Sequence, residues 1–218
     1  RYCLQNPETF LLQLRAILRA SAFGKVKLMF PMISGVGEVI RAKVLLDRAK
    51  NELREEAVVF DETIEVGCMI ETPSAVTICD LLAKEVDFFS VGTNDLVQYL
   101  LAVDRVNNQI AYLYEPHHPA VIRSLEHVSR VAKETGKPIT VCGEIAGDPH
   151  FLPILLGLGF DHLSCAPPLL QELKFFGRRF TQEECKELVN EILGMGRPVR
   201  IKERLKEFYD LRVADLLA

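Results

Sequence analysis

A chain of 218 residues, 49% of them hydrophobic, is long enough to bury a sizeable core, as one large α/β domain or two small ones. Its formal net charge of −4, with both signs interspersed, gives no electrostatic case for nucleic acid or an anionic membrane surface. No stretch approaches the roughly 20 uncharged apolar residues of a membrane span, and the start Arg1-Tyr2-Cys3, with neither initiator Met nor signal-peptide pattern, reads as a cut edge.

Along the chain, short apolar runs alternate with longer amphipathic ones. Val26–Met32 predicts the first strand. Val39, Ala42, Leu46, Ala49 and Leu53 then repeat at three and four residues, one apolar helical stripe. Ile64–Ile70 predicts a second strand, and Thr72-Pro73 places an N-cap and a first-turn proline before Val76, Leu81 and Leu82. Val86–Val91 and Ile139–Cys142 predict two more strands. Asp148-Pro149 repeats the cap-and-proline device, with Gly157 and Gly159 closing the short helix behind it. His162–Cys165 is the fifth strand. Thr181 with Glu184 forms a capping box ahead of Cys185, Leu188, Val189 and Ile192, and Ile201, Leu205, Phe208 and Leu211 form the final stripe.

The strands are apolar without strict alternation, as expected where both faces of a parallel sheet are covered. Strand–helix alternation means right-handed βαβ units, hence an α/β fold that is either a TIM-type barrel or an open doubly wound sheet. Glu71, Asn94-Asp95 and Cys142 each fall at the C-terminal end of a strand, where barrel active sites are assembled from several strands. No GxGxxG or Walker sequence marks a switch point. The expectation is a TIM-type (β/α) barrel, incomplete, with five strands where closure takes eight.

The six cysteines, at 3, 68, 79, 142, 165 and 185, contain no CxxC pair and suit neither a zinc site nor a disulfide framework. Most read as small core hydrophobes in a reducing cytosol. His117, His118, His127, His150 and His162 form no ligand spacing and read as loop or surface residues.

Glu71 follows five apolar residues, so its carboxylate requires a cation or hydrogen-bond donors if buried. Asp95 holds the equivalent place after the next strand. Two carboxylates on neighbouring strand ends suit Mg²⁺, with substrate oxygens completing the shell; both are also readable as helix N-caps or first-turn acids satisfied by backbone N–H groups. Asn94 offers a neutral donor and acceptor. Arg105 suits phosphate or carboxylate recognition, or a surface ion pair with Asp104. Cys142, with a reference thiol pKa of about 8.5, is mostly protonated at neutral pH and is either a general acid or an inert packed thiol.

The run Asp87-Phe88-Phe89-Ser90-Val91-Gly92-Thr93-Asn94-Asp95-Leu96-Val97-Gln98-Tyr99, continuing to Ala102-Val103-Asp104-Arg105, resembles the signature of the phosphoenolpyruvate-utilising enzymes. Met69-Ile70-Glu71-Thr72-Pro73 and Cys142-Gly143-Glu144-Ile145-Ala146-Gly147-Asp148 resemble that family's other landmarks, in the same order. Leu14-Arg15-Ala16-Ile17-Leu18-Arg19-Ala20-Ser21-Ala22-Phe23-Gly24-Lys25, with Met29-Phe30-Pro31-Met32-Ile33, resembles its enzyme I branch, from the bacterial sugar phosphotransferase system.

The resemblance implies that Glu71 and Asp95 hold Mg²⁺, that Asn94, Asp95 and Arg105 contact phosphoenolpyruvate, and that Cys142 protonates the enolate carbon to give pyruvate. It further implies one phosphoenolpyruvate-binding barrel domain over residues 1–218, truncated at its N-terminal side to about the last five βα units of eight. The phosphohistidine domain, the phosphocarrier protein it serves and further phosphate-binding arginines would then lie outside the chain. Phosphoenolpyruvate binding by the chain alone is expected to be weak. A homodimer in the cytoplasm is expected, because the exposed edge of Val26–Met32 invites association. The rival readings are a pyruvate phosphate dikinase or phosphoenolpyruvate synthase relative, and a non-catalytic dimerisation or regulatory module.

Overall fold

The computed structural model describes residues 1–213. Five strands, β1 (Leu28–Phe30), β2 (Val66–Ile70), β3 (Phe88–Gly92), β4 (Ile139–Cys142) and β5 (His162–Leu163), form one sheet in the order β1-β2-β3-β4-β5. All four pairings are parallel. Each crossover therefore moves one strand along in the same direction, and the order never reverses as it does in a doubly wound sheet. This is the winding of a TIM-type barrel, present as an incomplete arc.

Helices fill the crossovers: Val36–Glu55 between β1 and β2, Pro73–Thr77 and Cys79–Leu82 between β2 and β3, Thr93–Leu101 and Pro119–Glu134 between β3 and β4, and Glu144–Gly147 and Leu152–Leu158 between β4 and β5. Pro7–Ser21 precedes the sheet and packs on Val36–Glu55; Leu170–Gly177, Gln182–Leu193 and Pro198–Val213 follow it. Both faces of β2 and β3 are buried, with Cys68, Ile70, Phe89 and Val91 on one and Gly67, Ser90 and Gly92 on the other, which explains why neither strand alternates in sequence. All five stripe residues from Val39 to Leu53 are buried, and Thr72 and Thr181 cap their helices through bonds to the amides of Ala75 and Glu184.

Several expectations require correction. β1 is shorter than Val26–Met32 because Pro31 has no N–H to donate and Met32 turns into the left-handed region, φ 54°. β5 stops at Leu163, with one more sheet bond from the Ser164 amide to the Val141 carbonyl, before Pro167 and Pro168. Asp148-Pro149 does not cap a helix. Asp148 ends the helix Glu144–Gly147, and the next helix starts at Leu152 with Pro153 in its first turn. Gly159, at φ 81°, closes that helix, whereas Gly157 lies within it. A Cβ on Gly157 would stand 2.3 Å from the Cys185 carbonyl oxygen, so this glycine sets the approach of helix Gln182–Leu193. Leu81 is exposed rather than part of a buried face, and so is Leu211.

In the last helix Ile201, Leu205 and Phe208 are buried, and Tyr209 takes the place expected of Leu211. Its ring meets those of His150, Phe176 and Phe180. Leu205→Ala should therefore destabilise the chain by ~2–4 kcal/mol, the cost of a buried cavity. Leu211→Ala should stay within about 0.5 kcal/mol of the parent, as surface changes do. Urea-unfolding midpoints of the two variants measure the contrast.

Candidate functional site

The strand register sets the site. Ile70 pairs with Val91 and Gly92 with Cys142, so the residues that follow β2, β3 and β4 arrive together at the C-terminal edge of the sheet. Glu71, the first residue past β2, is only 4% exposed. Its Oε1 accepts the Met32 amide at 2.6 Å, a bond made possible by the left-handed turn at Met32. The Glu71 carboxyl passes so close to β3 that a Cβ on Gly92 would stand 2.6 Å from its Oε2.

Asp95 lies in the first turn of the helix after β3, and its carboxyl abuts that of Glu71. Burial raises the Glu71 pKa most, the Met32 N–H opposes this, and the Asp95 charge adds to the rise. Thr72, not Glu71, caps the helix after β2, and the helix that holds Asp95 has no side-chain cap. Asp95 is a first-turn acid by position.

Cys142 ends β4, half-buried. Its thiol donates to the Val91 carbonyl at 3.4 Å and meets the Ser90 hydroxyl at 3.8 Å. Burial, reinforced by the charges of Glu71 and Asp95, raises the thiol pKa against the bond from Ser90. Cys142 is thus kept as S–H beside two carboxylates. Thr93, fully buried, donates to the Cys142 carbonyl at 2.7 Å, and Asn94 Oδ1 accepts the Glu144 amide at 2.8 Å. These two bonds tie the start of the β3 helix to the turn after β4. They pass over Gly143, whose φ of 93° and lack of a Cβ leave room for both side chains.

Arg105 approaches from the segment beyond that helix. Its guanidinium lies 3.6 Å from Asp95 Oδ1, too far for a hydrogen bond, and its backbone amide donates to Gln98 Oε1. Asp104, the partner entertained from sequence, instead accepts the Val106 amide. Tyr114 completes this side. Its hydroxyl donates to the Asn94 carbonyl at 3.3 Å, and burial, with the nearby Glu144 and Asp95 charges, pushes its pKa up to about 12.

The family described as PEP-utilising enzyme, PEP-binding domain matches residues 1–181. The chain belongs to that family. Among curated proteins it is 44% identical over 211 residues to the phosphoenolpyruvate-protein phosphotransferase of Priestia megaterium, covering 97% of this chain and 37% of that protein. The protein of the same description from Bacillus subtilis is 42% identical over 209 residues, covering 96% and 37%, and that from Haemophilus influenzae is 44% identical over 208 residues, covering 95% and 36%. The chain thus spans little more than a third of these relatives' length. Among solved structures, a citrate lyase from Burkholderia xenovorans superposes with a TM-score of 0.58 at 16% identity, over 94% of this chain and 68% of that one, a likeness of fold alone.

In this PEP-binding domain, Glu71, Asp95, Asn94, Arg105 and Cys142, singled out from sequence, all meet at one end of the sheet. Met32, Ser90, Thr93 and Tyr114 were not singled out. Ser90 and Thr93 were visible as polar residues in an otherwise apolar run. Nothing in the sequence marks Met32 for a left-handed turn or brings Tyr114 back to Asn94. Among the described residues no three His, Cys, Asp or Glu side chains form a metal-binding group, and no helix is long and apolar enough to cross a membrane. The carboxylates form a pair, and two adjoining carboxylates in a part-buried setting call for a cation or a shared proton. That donor set, hard oxygens with a second ligand source left to water or substrate, fits a small divalent cation such as Mg²⁺.

The raised thiol pKa has a measurable consequence. Iodoacetamide at pH 8 should label Cys142 more slowly than an exposed model thiol, because less of it is thiolate. Glu71→Gln combined with Asp95→Asn should increase the labelling rate severalfold, on the order of 3-fold, by removing the two charges while leaving burial in place. Peptide mapping by mass spectrometry after timed quenching gives both rates.

Proposed function

We propose that this chain is the phosphoenolpyruvate-binding domain of a phosphoenolpyruvate-protein phosphotransferase. The observation that carries the proposal is the convergence of two carboxylates, a guanidinium without a hydrogen-bonded partner among the described side chains, and a protonated thiol at one end of the sheet. The substrate has three matching parts: a phosphate, a carboxylate and an enol carbon that must gain a proton. The curated relatives named above, each described as a phosphoenolpyruvate-protein phosphotransferase, support a protein acceptor over the dikinase and synthase alternatives.

Glu71 and Asp95 would hold Mg²⁺. When bound, the cation supplies charge neutralisation for phosphate and enolate oxygens. Arg105 binds the phosphate with guanidinium hydrogens that its loose contact with Asp95 leaves unused. Asn94 is anchored through Oδ1 to the Glu144 amide, so its Nδ2 can donate to the same oxyanion without moving. The P–O bond to the enol oxygen breaks as the phosphoryl group passes to a histidine nitrogen of the acceptor domain. Positioning and fixed positive charge contribute most of the catalysis in such transfers. Cys142 then delivers its proton to the enolate methylene carbon, giving pyruvate and a thiolate that solvent reprotonates. A thiol held as S–H by its surroundings suits that task at neutral pH.

The further assignments are a phosphohistidine domain and a phosphocarrier protein as partners, and a cytoplasmic homodimer. The relatives' description, which names a protein as acceptor, supports a protein partner. The outer edges of β1 and β5, which no strand covers among the described residues, support association.

Metal binding is tested on the chain itself. Added Mn²⁺ should give a bound electron paramagnetic resonance signal. Glu71→Gln and Asp95→Asn should each weaken that binding about ten-fold or more, and Arg105→Ala should not weaken it. Turnover is tested in a chimaera in which this chain replaces the aligned segment of the Bacillus subtilis relative. Pyruvate release from phosphoenolpyruvate is expected. Cys142→Ser should keep substrate affinity within a few-fold, roughly 3-fold, and lose turnover by about 10²–10⁴. Normal turnover in the serine variant would return Cys142 to a packing role.

A further inference from the structure

The segment that carries Arg105 and Tyr114 is irregular over most of residues 102–118. It leaves the helix Thr93–Leu101 through a left-handed Ala102 and contains one short 3₁₀ turn, Ala111–Leu113, before the helix Pro119–Glu134 begins. Near its start, the Arg105 amide is held by Gln98 Oε1. Near its end the Tyr114 hydroxyl is held by the Asn94 carbonyl, a long bond at 3.3 Å. Irregular segments of this length keep one geometry only where side chains fix them.

Glu115, next to Tyr114, is where that fixing occurs. One carboxylate oxygen accepts both the backbone amide and the ring Nδ1 of His117, at 3.1 and 3.2 Å. The other accepts Lys202 Nζ at 2.7 Å, from the last helix, 87 residues away in sequence. Both ends of this bridge rest on groups outside the segment: the His117 ring on Phe151, and Lys202 on the last helix. His117 is a loop residue, as expected from sequence, but not an exposed one. Its side chain is 16% exposed, and its ring lies 5.2 Å from that of the fully buried Phe151. Lys202 rides on a helix anchored by Ile201, Leu205 and Phe208, with Tyr209 stacked on His150 at 4.4 Å. Lys202 and Glu115 side chains are 50% and 25% exposed. A bridge so exposed contributes little to global stability, and its effect is local.

We infer that Lys202, through Glu115 and His117, is a positioning residue: it clamps the end of the Arg105–Tyr114 segment to the last helix and so fixes the arginine and tyrosine against Asp95 and Asn94. Lys202 touches neither substrate nor metal in this scheme. The inference rests on the role proposed above for Arg105 in phosphate recognition, since a clamp on that segment matters to binding only if the segment meets the substrate. Its consequence is a split in kinetic effect. Losing the clamp lowers the fraction of molecules with Arg105 in place, which raises KM for phosphoenolpyruvate, whereas Cys142 and the two carboxylates, on the strand ends, keep kcat.

The test combines two measurements. In this chain, hydrogen–deuterium exchange at the amides of residues 103–117 should quicken in Lys202→Met while exchange in the helix 119–134 stays as in the parent. In the chimaera, Lys202→Met should raise KM about 3- to 5-fold with kcat unchanged to within about 2-fold, the range open to a partly exposed ion pair. Lys202→Arg, which preserves the charge, should restore both parent values. Arg105→Ala in the same chimaera separates the two readings: a far larger rise in KM supports the role of Arg105, and its absence would overturn that role. With Arg105 shown to matter, unchanged exchange and unchanged KM in Lys202→Met would overturn the clamp. A fall in kcat that Lys202→Arg does not rescue would also overturn it, showing a merely structural role.

Discussion

The register of three neighbouring parallel strands governs this site. With Ile70 opposite Val91 and Gly92 opposite Cys142, Glu71, Asp95 and the Cys142 thiol reach one edge of the sheet from three separate βα units. Because parallel strands are spaced about 4.8 Å apart, groups at adjacent ends fall within the reach of one small ion or one phosphate. A slip of one residue in either pairing would turn the affected side chain to the opposite face of the sheet. The sheet core, Cys68, Ile70, Phe89, Val91 and Val141, all fully buried, makes such a slip costly.

Burial and like charge then shape the chemistry. Glu71 is almost wholly withdrawn from water, next to a second carboxyl, with one backbone amide as its compensation. An arrangement of this kind is unfavourable in isolation and favourable once a cation arrives, which is a common property of binding sites kept apart from structural ion pairs. Burial raises the Cys142 thiol pKa most, and the same two charges add to the rise. A substitution at either carboxylate would therefore act on the thiol as well as on the proposed cation.

The protein supports this arrangement with backbone features away from the charges. Met32 adopts a left-handed conformation that a non-glycine residue seldom takes, and its amide thereby reaches Glu71. Thr93 and Asn94 cross over Gly143 to bond the end of β4 and the turn behind it, so the β3 and β4 ends move together. The segment of Arg105 and Tyr114, by contrast, has few apolar anchors. Val106 and Tyr112 are exposed, and polar contacts from Gln98, Asn94 and Lys202 hold it instead.

The sequence by itself determined the alternation of strands and helices and the placing of Glu71, Asn94, Asp95 and Cys142 at strand ends. Both follow from local rules: apolar runs broken by helical stripes define βα units, and polar residues at run ends must lie at the sheet edge. It also determined the caps at Thr72 and Thr181, because capping is an interaction within three residues. Only the tertiary structure decided which flank of the last helix is buried. Tyr209 and Leu211 lie on opposite sides of the Ile201–Leu205–Phe208 stripe, each roughly 80° from it at 100° per residue, and periodicity cannot choose between them. The choice falls to Tyr209 because His150, Phe176 and Phe180 stand on that side. The turn at Met32, the return of Tyr114 to Asn94 and the pairing of Glu115 with Lys202 were likewise hidden from sequence. Each depends on where packing brings segments that are remote along the chain, and no local pattern carries that information.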